Sequence, residues 1–328
     1  MNLNKEKILF VTQTLGYKSA CGIGLIGHLF GTTLLKHPKF EFVLLYSDDL
    51  NEIKNKIREI SPSAVLYNYS PVSTPWVDDI SLRQGEFSHI PQARVMHDIN
   101  QYYINTYDPN NNHDWVFNFT SDHILTGNKY IFPTTRMIPA PPTVEYKESS
   151  IPIVGYQGFG FQHKGIFRIA EQVAGEFNEA IIRLHIPHSF YGDQDGSQAR
   201  QRVEEVKQIV SHKPGVEVIA SHEFLDIQSI INFIAQNTIN CYFYDYMDGI
   251  ALSSSLDYGI SARRPIAVTR SHQMRNVWHL TPSILIENNS LTNIINNGLE
   301  PLKPLYELYS EKKFFEDYSK GLEILLNS

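Results

Sequence analysis

At 328 residues the chain is longer than one hydrophobic core usually organises, so length alone points to two domains. Its 42% hydrophobic and 19% charged residues are the balance of a globular protein, not of a disordered or fibrous one. A formal net charge of −7 argues against a general nucleic-acid binder, and no apolar run reaches the ~18 residues that read as a membrane helix.

From the N-terminus, MNLNKEK runs into a strand-like segment with no signal-peptide pattern, and Cys21 and Cys241 form no C-x-x-C unit. A reducing, cytoplasmic setting is the expectation. Short apolar runs then recur at 7–13, 40–47, 63–68, 93–97 and 123–126. A second series follows at 151–156, 180–186, 215–221, 239–245, 265–269 and 283–287. They are unbroken and rich in β-branched and aromatic residues, which suits parallel strands buried on both faces. Between them, stretches such as 51–60 and 255–264 carry apolar residues at helical spacing. Strand alternating with helix predicts a doubly wound α/β sheet, and here the pattern runs twice. The proline-rich PAPPTVEYKESSIP separates the series. The expected organisation is a domain over 1–140, a linker over 141–152 and a second domain over 153–304. An amphipathic helix over 305–328 would be free to pack back on the first domain. Two Rossmann-like sheets facing a central cleft would bind ligands at the carboxyl ends of their strands.

The loops after strands are therefore where chemistry is sought. After the first run, Gly22 and Gly24 precede an apolar helix, where bare backbone and free N–H groups suit an anion or a plain loop-to-helix junction. In RVMHDINQYY, His97 and Asp98 stand at a strand end, where an imidazole can bond a substrate hydroxyl or move a proton. GYQGFGFQHKG joins a strand to a helix. Gly160 and the point charge of Lys164, with Arg168 one turn on, read either as a diphosphate seat or as a packed turn. It is not a Walker loop. In YDYMDGIALSSSLDYG, Asp245 and Asp248 end a strand, Gly249 turns the chain, and the serine run with Ser253 and Ser254, followed by Asp257, opens a helix. Ser254 and Asp257 have capping-box spacing, while the same helix start could receive phosphate with Asp257 offered to a ribose. His185 and His188 resemble metal ligands by spacing, but no third ligand accompanies them, and no metal is expected.

Taken together, GFGFQHKG, the acidic loop and SSSLDYGISARRPIAVT resemble the donor domain of GT-B glycosyltransferases, especially the retaining family-four type and related bacterial polysaccharide enzymes. The order of segments extends the resemblance over most of the chain, with HD after a strand and RMIP before the linker. It implies transfer of a sugar from a nucleotide-diphosphate-sugar co-substrate to a hydroxyl acceptor such as a glycan or glycoconjugate. It implies no cofactor or metal and no nucleic-acid partner, and it leaves peripheral membrane contact open. By that resemblance Gly22, Gly24 and Lys164 lie near the diphosphate, His97 near the transferred sugar, Asp248 at the donor sugar and Asp257 at the ribose. The chain departs from the pattern in having aspartates for the two glutamates, with eight residues between them where the family has seven. Arg263 stands where the family has a late glycine, and Gly158 where it has an arginine six positions before the lysine. A sugar-nucleotide epimerase or hydrolase, or an inactive sugar-binding relative, are the alternatives these departures keep open.

Overall fold

The computed structural model describes residues 5–14, 22–110, 115–247 and 251–327. They divide into two compact units. One gathers the described residues up to Met137 together with those from Leu308 onward and Ala251; the other runs from Ile138 and ends at Glu307.

The first unit is built on a parallel sheet of β1 (Lys7–Thr12), β2 (Glu41–Tyr46), β3 (Ala64–Tyr69), β4 (Gln92–Met96), β5 (Phe117–Thr120) and β6 (Ile131–Pro133). Its helices are α1 (Gly22–Leu34), α2 (Leu50–Ile60) and α3 (Gln101–Thr106). The strand order β2-β1-β3-β4-β5-β6 places the topological switch point between β1 and β3. Alternation along β1 shows why the run is apolar throughout. Ile8 and Phe10 pack with Ile26, Phe30 and Leu34 of α1, whereas Leu9 and Val11 pack on the other face with Ile53 and Ile57 of α2. Each such side chain, fully buried, contributes roughly 1.5–3 kcal/mol.

The second unit holds β7 (Ile153–Gln157), α4 (Ile166–Glu176), β8 (Ala180–His185), α5 (Ser197–Val210), β9 (Val216–Ser221), α6 (Ile227–Ile234), β10 (Ile239–Tyr242), α7 (Ser254–Ser261) and β11 (Ile266–Val268), followed by α8 (Leu291–Asn297) and α9 (Lys303–Leu308). Its order, β11-β10-β7-β8-β9, puts the switch point between β7 and β10.

The chain closes with α10 (Glu311–Leu326), which belongs to the first unit. Phe314, Tyr318, Leu322 and Leu325 form one face and enter the α1-side core. Ser310 caps the helix by accepting from Lys313 N–H.

Two expectations need correction. The HILT run at 123–126 is turn, not strand; the strands there are β5 and the edge strand β6. FNFT hides from a search for apolar runs because Asn118 faces the polar side chains of Arg94 and Tyr107. The 283–287 run contributes only an isolated bridge from Leu285 to Val268 before a short 3-10 turn. The proline-rich segment is extended but not loose. Thr143 bonds Asn232, Glu145 O accepts from Gln236, and Arg264 lies 3.4 Å from the centre of the Tyr146 ring.

Candidate functional site

In the first unit, polar residues stand at or next to the carboxyl ends of four neighbouring strands: Thr12, Asn68, His97 and Ser121, all 4% exposed or less. They bond in a row across the carboxyl edge of the sheet. Asn68 Nδ2 donates to Thr12 Oγ1 at 3.2 Å and to the Ile23 carbonyl in α1 at 3.1 Å. That leaves Asn68 Oδ1 to accept Nε2–H of His97 at 2.7 Å. His97 Nδ1 then accepts the Ser121 hydroxyl at 3.2 Å, and Ser121 Oγ accepts from Arg136 Nη1 at 3.3 Å. The imidazole is thus neutral with both nitrogens engaged. Burial pushes its pKa down to about 3, and the Arg136 charge adds to that shift.

Asp98, the next residue, is exposed and accepts from Ser70 Oγ at 2.7 Å. The structure therefore separates the HD pair into an enclosed, hydrogen-bonded ring and a carboxylate open to solvent. Gly22 and Gly24 lie within the first turn of α1 rather than in a loop before it, and Gly24 is buried. A third glycine of the same stretch, Gly27, lets α1 approach the sheet: a Cβ there would overlap Thr12 Oγ1 and Asn68 Nδ2.

In the second unit, the loop after β7 and the exit of β10 meet at the switch point. Asp245 N–H donates to His163 O at 2.8 Å, joining the two segments. Lys164 is half-buried, with Nζ 3.9 Å from the centre of the buried Tyr244 ring and 3.3 Å from Gln273 Oε1. Arg168 forms an ion pair with Asp245 at 2.6 Å; their side chains are 41% and 33% exposed. Burial lowers the His163 pKa, and neighbouring Lys164 lowers it further against the opposing charge of Asp245. Gly165, at φ 59°, ends the 3-10 turn and starts α4, and a Cβ on it would run into the Phe243 carbonyl. Gly160 has a packing reason: a Cβ would lie 2.8 Å from Ala199 Cα in α5.

At α7 the N-cap is Ser253, not Ser254, and the Ser253 side chain makes no capping hydrogen bond. The capping-box reading of Ser254 and Asp257 is therefore wrong, since Ser254 is already helical and Asp257 falls one position too far along. Asp257 is 2% exposed. Asp248 and Gly249 lie outside the described residues. His185 is fully buried, its Nδ1 2.9 Å from Ser221 Oγ, and burial pushes its pKa down to about 4. His188 packs its ring against His222 instead. Among the described residues no group of three or more His, Cys, Asp or Glu is arranged to hold a metal ion, and no helix is long and apolar enough to cross a membrane.

Loop-by-loop reading of the sequence missed Asn68, Ser121 and Gln273. Asn68 is the last but one residue of β3 and Ser121 follows β5, so both were discoverable by asking which polar residues stand near every strand end. Gln273 has no local pattern; only the return of the chain after β11 brings it to Lys164.

No family model and no curated protein matches the chain. Solved structures do. A sucrose-phosphate synthase from Thermosynechococcus elongatus is 12% identical, covering 98% of this chain and 100% of its own, with a TM-score of 0.66. HepE from Anabaena, in complex with UDP, is 11% identical over 97% of this chain and 99% of its own, with a TM-score of 0.62. A glycosyltransferase from Rickettsia africae is 10% identical over 98% of both chains, with a TM-score of 0.58. Together with the two parallel sheets, these likenesses establish the fold as two Rossmann-like domains of the GT-B type.

Proposed function

We propose that the chain is a glycosyltransferase that moves a sugar from a nucleoside-diphosphate donor to a hydroxyl of a glycan or glycoconjugate. The observation that carries the reading is the switch point of the second sheet, where Lys164, Arg168 and the start of α4 converge on a fold shared with glycosyltransferases. A lysine and an arginine beside the positive end of a helix are suited to a leaving diphosphate. With that charge neutralised by the protein, no divalent ion is required. UDP is the first nucleotide to try, since HepE is in complex with it.

In this proposal Asp257 serves the ribose, Ser253 and Ser254 the phosphate side of α7, and Asp248 and Gly249 the donor sugar. Gly22 and Gly24 face the diphosphate, and Asp98 is the solvent-facing carboxylate of the HD pair. His97, neutral and enclosed, acts by orienting its neighbours rather than by exchanging protons. Retention of configuration, a place in polysaccharide synthesis and a cytoplasmic location complete the proposal.

Titration calorimetry with UDP tests it. Lys164→Ala should weaken binding about 10- to 100-fold, the worth of a charge-assisted contact of roughly 1.5–3 kcal/mol. Equal affinity in wild type and variant would overturn the phosphate role. Donor consumption only in the presence of a glycan acceptor, surviving EDTA, completes the test. Gly158 in place of an arginine and the shorter aspartates favour one rival, a sugar-nucleotide-binding relative without turnover. That rival predicts binding with no donor consumption under any acceptor.

A further inference from the structure

We infer that Gln273 is a positioning residue that aims Lys164 and ties it to the start of α7; this rests on the proposed diphosphate role of Lys164. Gln273 is 4% exposed and sits on the 3-10 turn (His272–Val277) that follows β11. Its two polar ends are used differently. The side-chain Oε1 accepts from Lys164 Nζ at 3.3 Å, while the backbone carbonyl accepts Ser253 N–H, the N-cap of α7, at 3.0 Å. One residue thereby links the cation after β7 with the helix start after β10.

The ammonium has three donors and no acceptor. Gln273 takes one of them, and the Tyr244 ring beneath, 3.9 Å from Nζ, restrains the position of the charge. The remaining donors stay available. A lysine stem is otherwise rich in rotamers, and fixing it in advance removes an ordering cost from ligand binding. The neutrality of the glutamine matters as much as its reach. A carboxylate at the same place would pair with Lys164 and compete with an anionic ligand, whereas an amide oxygen orients the ammonium and leaves its charge uncompensated.

The test uses the full chain, with inorganic pyrophosphate and UDP as probes in titration calorimetry at fixed ionic strength. Gln273→Met keeps the buried volume and the backbone carbonyl but removes the acceptor, so the bond from Ser253 N–H persists. It should weaken both probes about two- to tenfold, the usual cost of ordering one long side chain on binding. In a Lys164→Ala background the same change should have no further effect. Gln273→Glu should weaken both probes more than Gln273→Met does, and raising the salt concentration should narrow that gap. Unchanged affinity in Gln273→Met, with Lys164→Ala still impaired, would overturn the inference and leave the diphosphate reading standing. An equal loss from Gln273→Met with and without Lys164 would also overturn it, since the residue would then act on packing alone. If Lys164→Ala itself binds both probes like wild type, the diphosphate reading fails and the inference falls with it. Thermal unfolding of each variant identifies any that fails to fold, and Gln273→Asn, which keeps the amide but shortens it, then replaces Gln273→Met with the same expected loss.

Discussion

At the switch point of the first sheet the polar residues bond to one another: Thr12, Asn68, His97 and Ser121 are enclosed and their row ends on Arg136. At the switch point of the second sheet Lys164 is half-buried and Arg168 is 41% exposed, so the charged side chains stay in contact with solvent. The two places are architecturally equivalent, yet one is satisfied and uncharged along its row of strand tips while the other presents cations. Buried charge is costly unless paired, which is why the enclosed imidazole is neutral. A group meant for a ligand must instead remain partly solvated until the ligand arrives. Strand-end position alone does not distinguish the two uses; the partners of each side chain do.

The largest expected difference between the two regions is in their tight glycines. Gly165→Ala puts an L side chain at φ 59° and against a backbone carbonyl that cannot swing aside. It should cost about 2–4 kcal/mol, combining left-handed strain with overpacking. In Gly27→Ala the nearest atoms to the new Cβ belong to the side chains of Thr12 and Asn68 rather than to backbone, and α1 gains helix propensity, so a net cost of about 1–2 kcal/mol is expected. Urea unfolding of the two variants reads both. The reverse ranking would mean that the buried row of the first unit is the less deformable of the two.

Acid titration separates the regions next. An unfolded histidine titrates near 6.5, whereas folded His97 is pushed down to about 3. Above 6.5 the ring is neutral in both states and its contribution is whole. Between the two values the unfolded chain binds more protons, so stability falls as the pH is lowered. At about 1.4 kcal/mol per unit, His97 alone should remove about 2–3 kcal/mol between pH 6.5 and 4.5. His185 in the second unit acts in the same direction but reaches its folded value sooner, at about 4. Replacing His97 by Asn should flatten the acid limb by up to one proton. Identical limbs would show that the ring is not held neutral.

How much of this was readable beforehand follows from the physics of each element. The repeated βα pattern was legible because parallel strands buried on two faces leave unbroken apolar runs, as the alternation of Ile8 and Phe10 against Leu9 and Val11 shows. β5 was not, because Asn118 bonds Arg94 and Tyr107 inside the sheet and Thr120 Oγ1 accepts the Asp122 N–H just past its end. Lys164 could be singled out since a lone cation among glycines stands out locally. Gln273 could not, because its meaning comes from a contact across 109 positions of chain. His97 was legible as a strand-end residue, while its enclosure depended on Asn68 and Ser121, each contributed by a different strand or strand exit.

Asp257 offers a sharper test now that the capping box is excluded. It is buried at 2% exposure one turn into α7, where a carboxylate needs partners to justify its desolvation. Under the proposed ribose role, Asp257→Asn should weaken UDP binding about tenfold, the lower range for a hydrogen bond to a charged group. A variant that loses stability and binds UDP with unchanged affinity would make Asp257 a structural acid of the second unit and remove it from the ligand side.

The smallest effect on the fold is expected at Arg168, and it bears most directly on the contrast between the regions. Its ion pair with Asp245 is short, at 2.6 Å, but both side chains are substantially exposed. Solvent screening and the entropy of holding two long side chains reduce such pairs to roughly 0–1 kcal/mol. Arg168→Ala should therefore shift the urea midpoint little, by the equivalent of about 0.5 kcal/mol or less. If the second switch point is arranged for an anion, the same change should lower pyrophosphate affinity by about threefold and reduce its dependence on salt, because one screened cation near the ligand is gone. The Lys36–Glu311 pair of the first unit, 66% and 45% exposed, is the control: Lys36→Ala should leave both stability and pyrophosphate binding where they were. A stability loss at Arg168 with no change in affinity would make its pairing with Asp245 a brace between α4 and the exit of β10, and the second region would then resemble the first, its polar groups spent on one another.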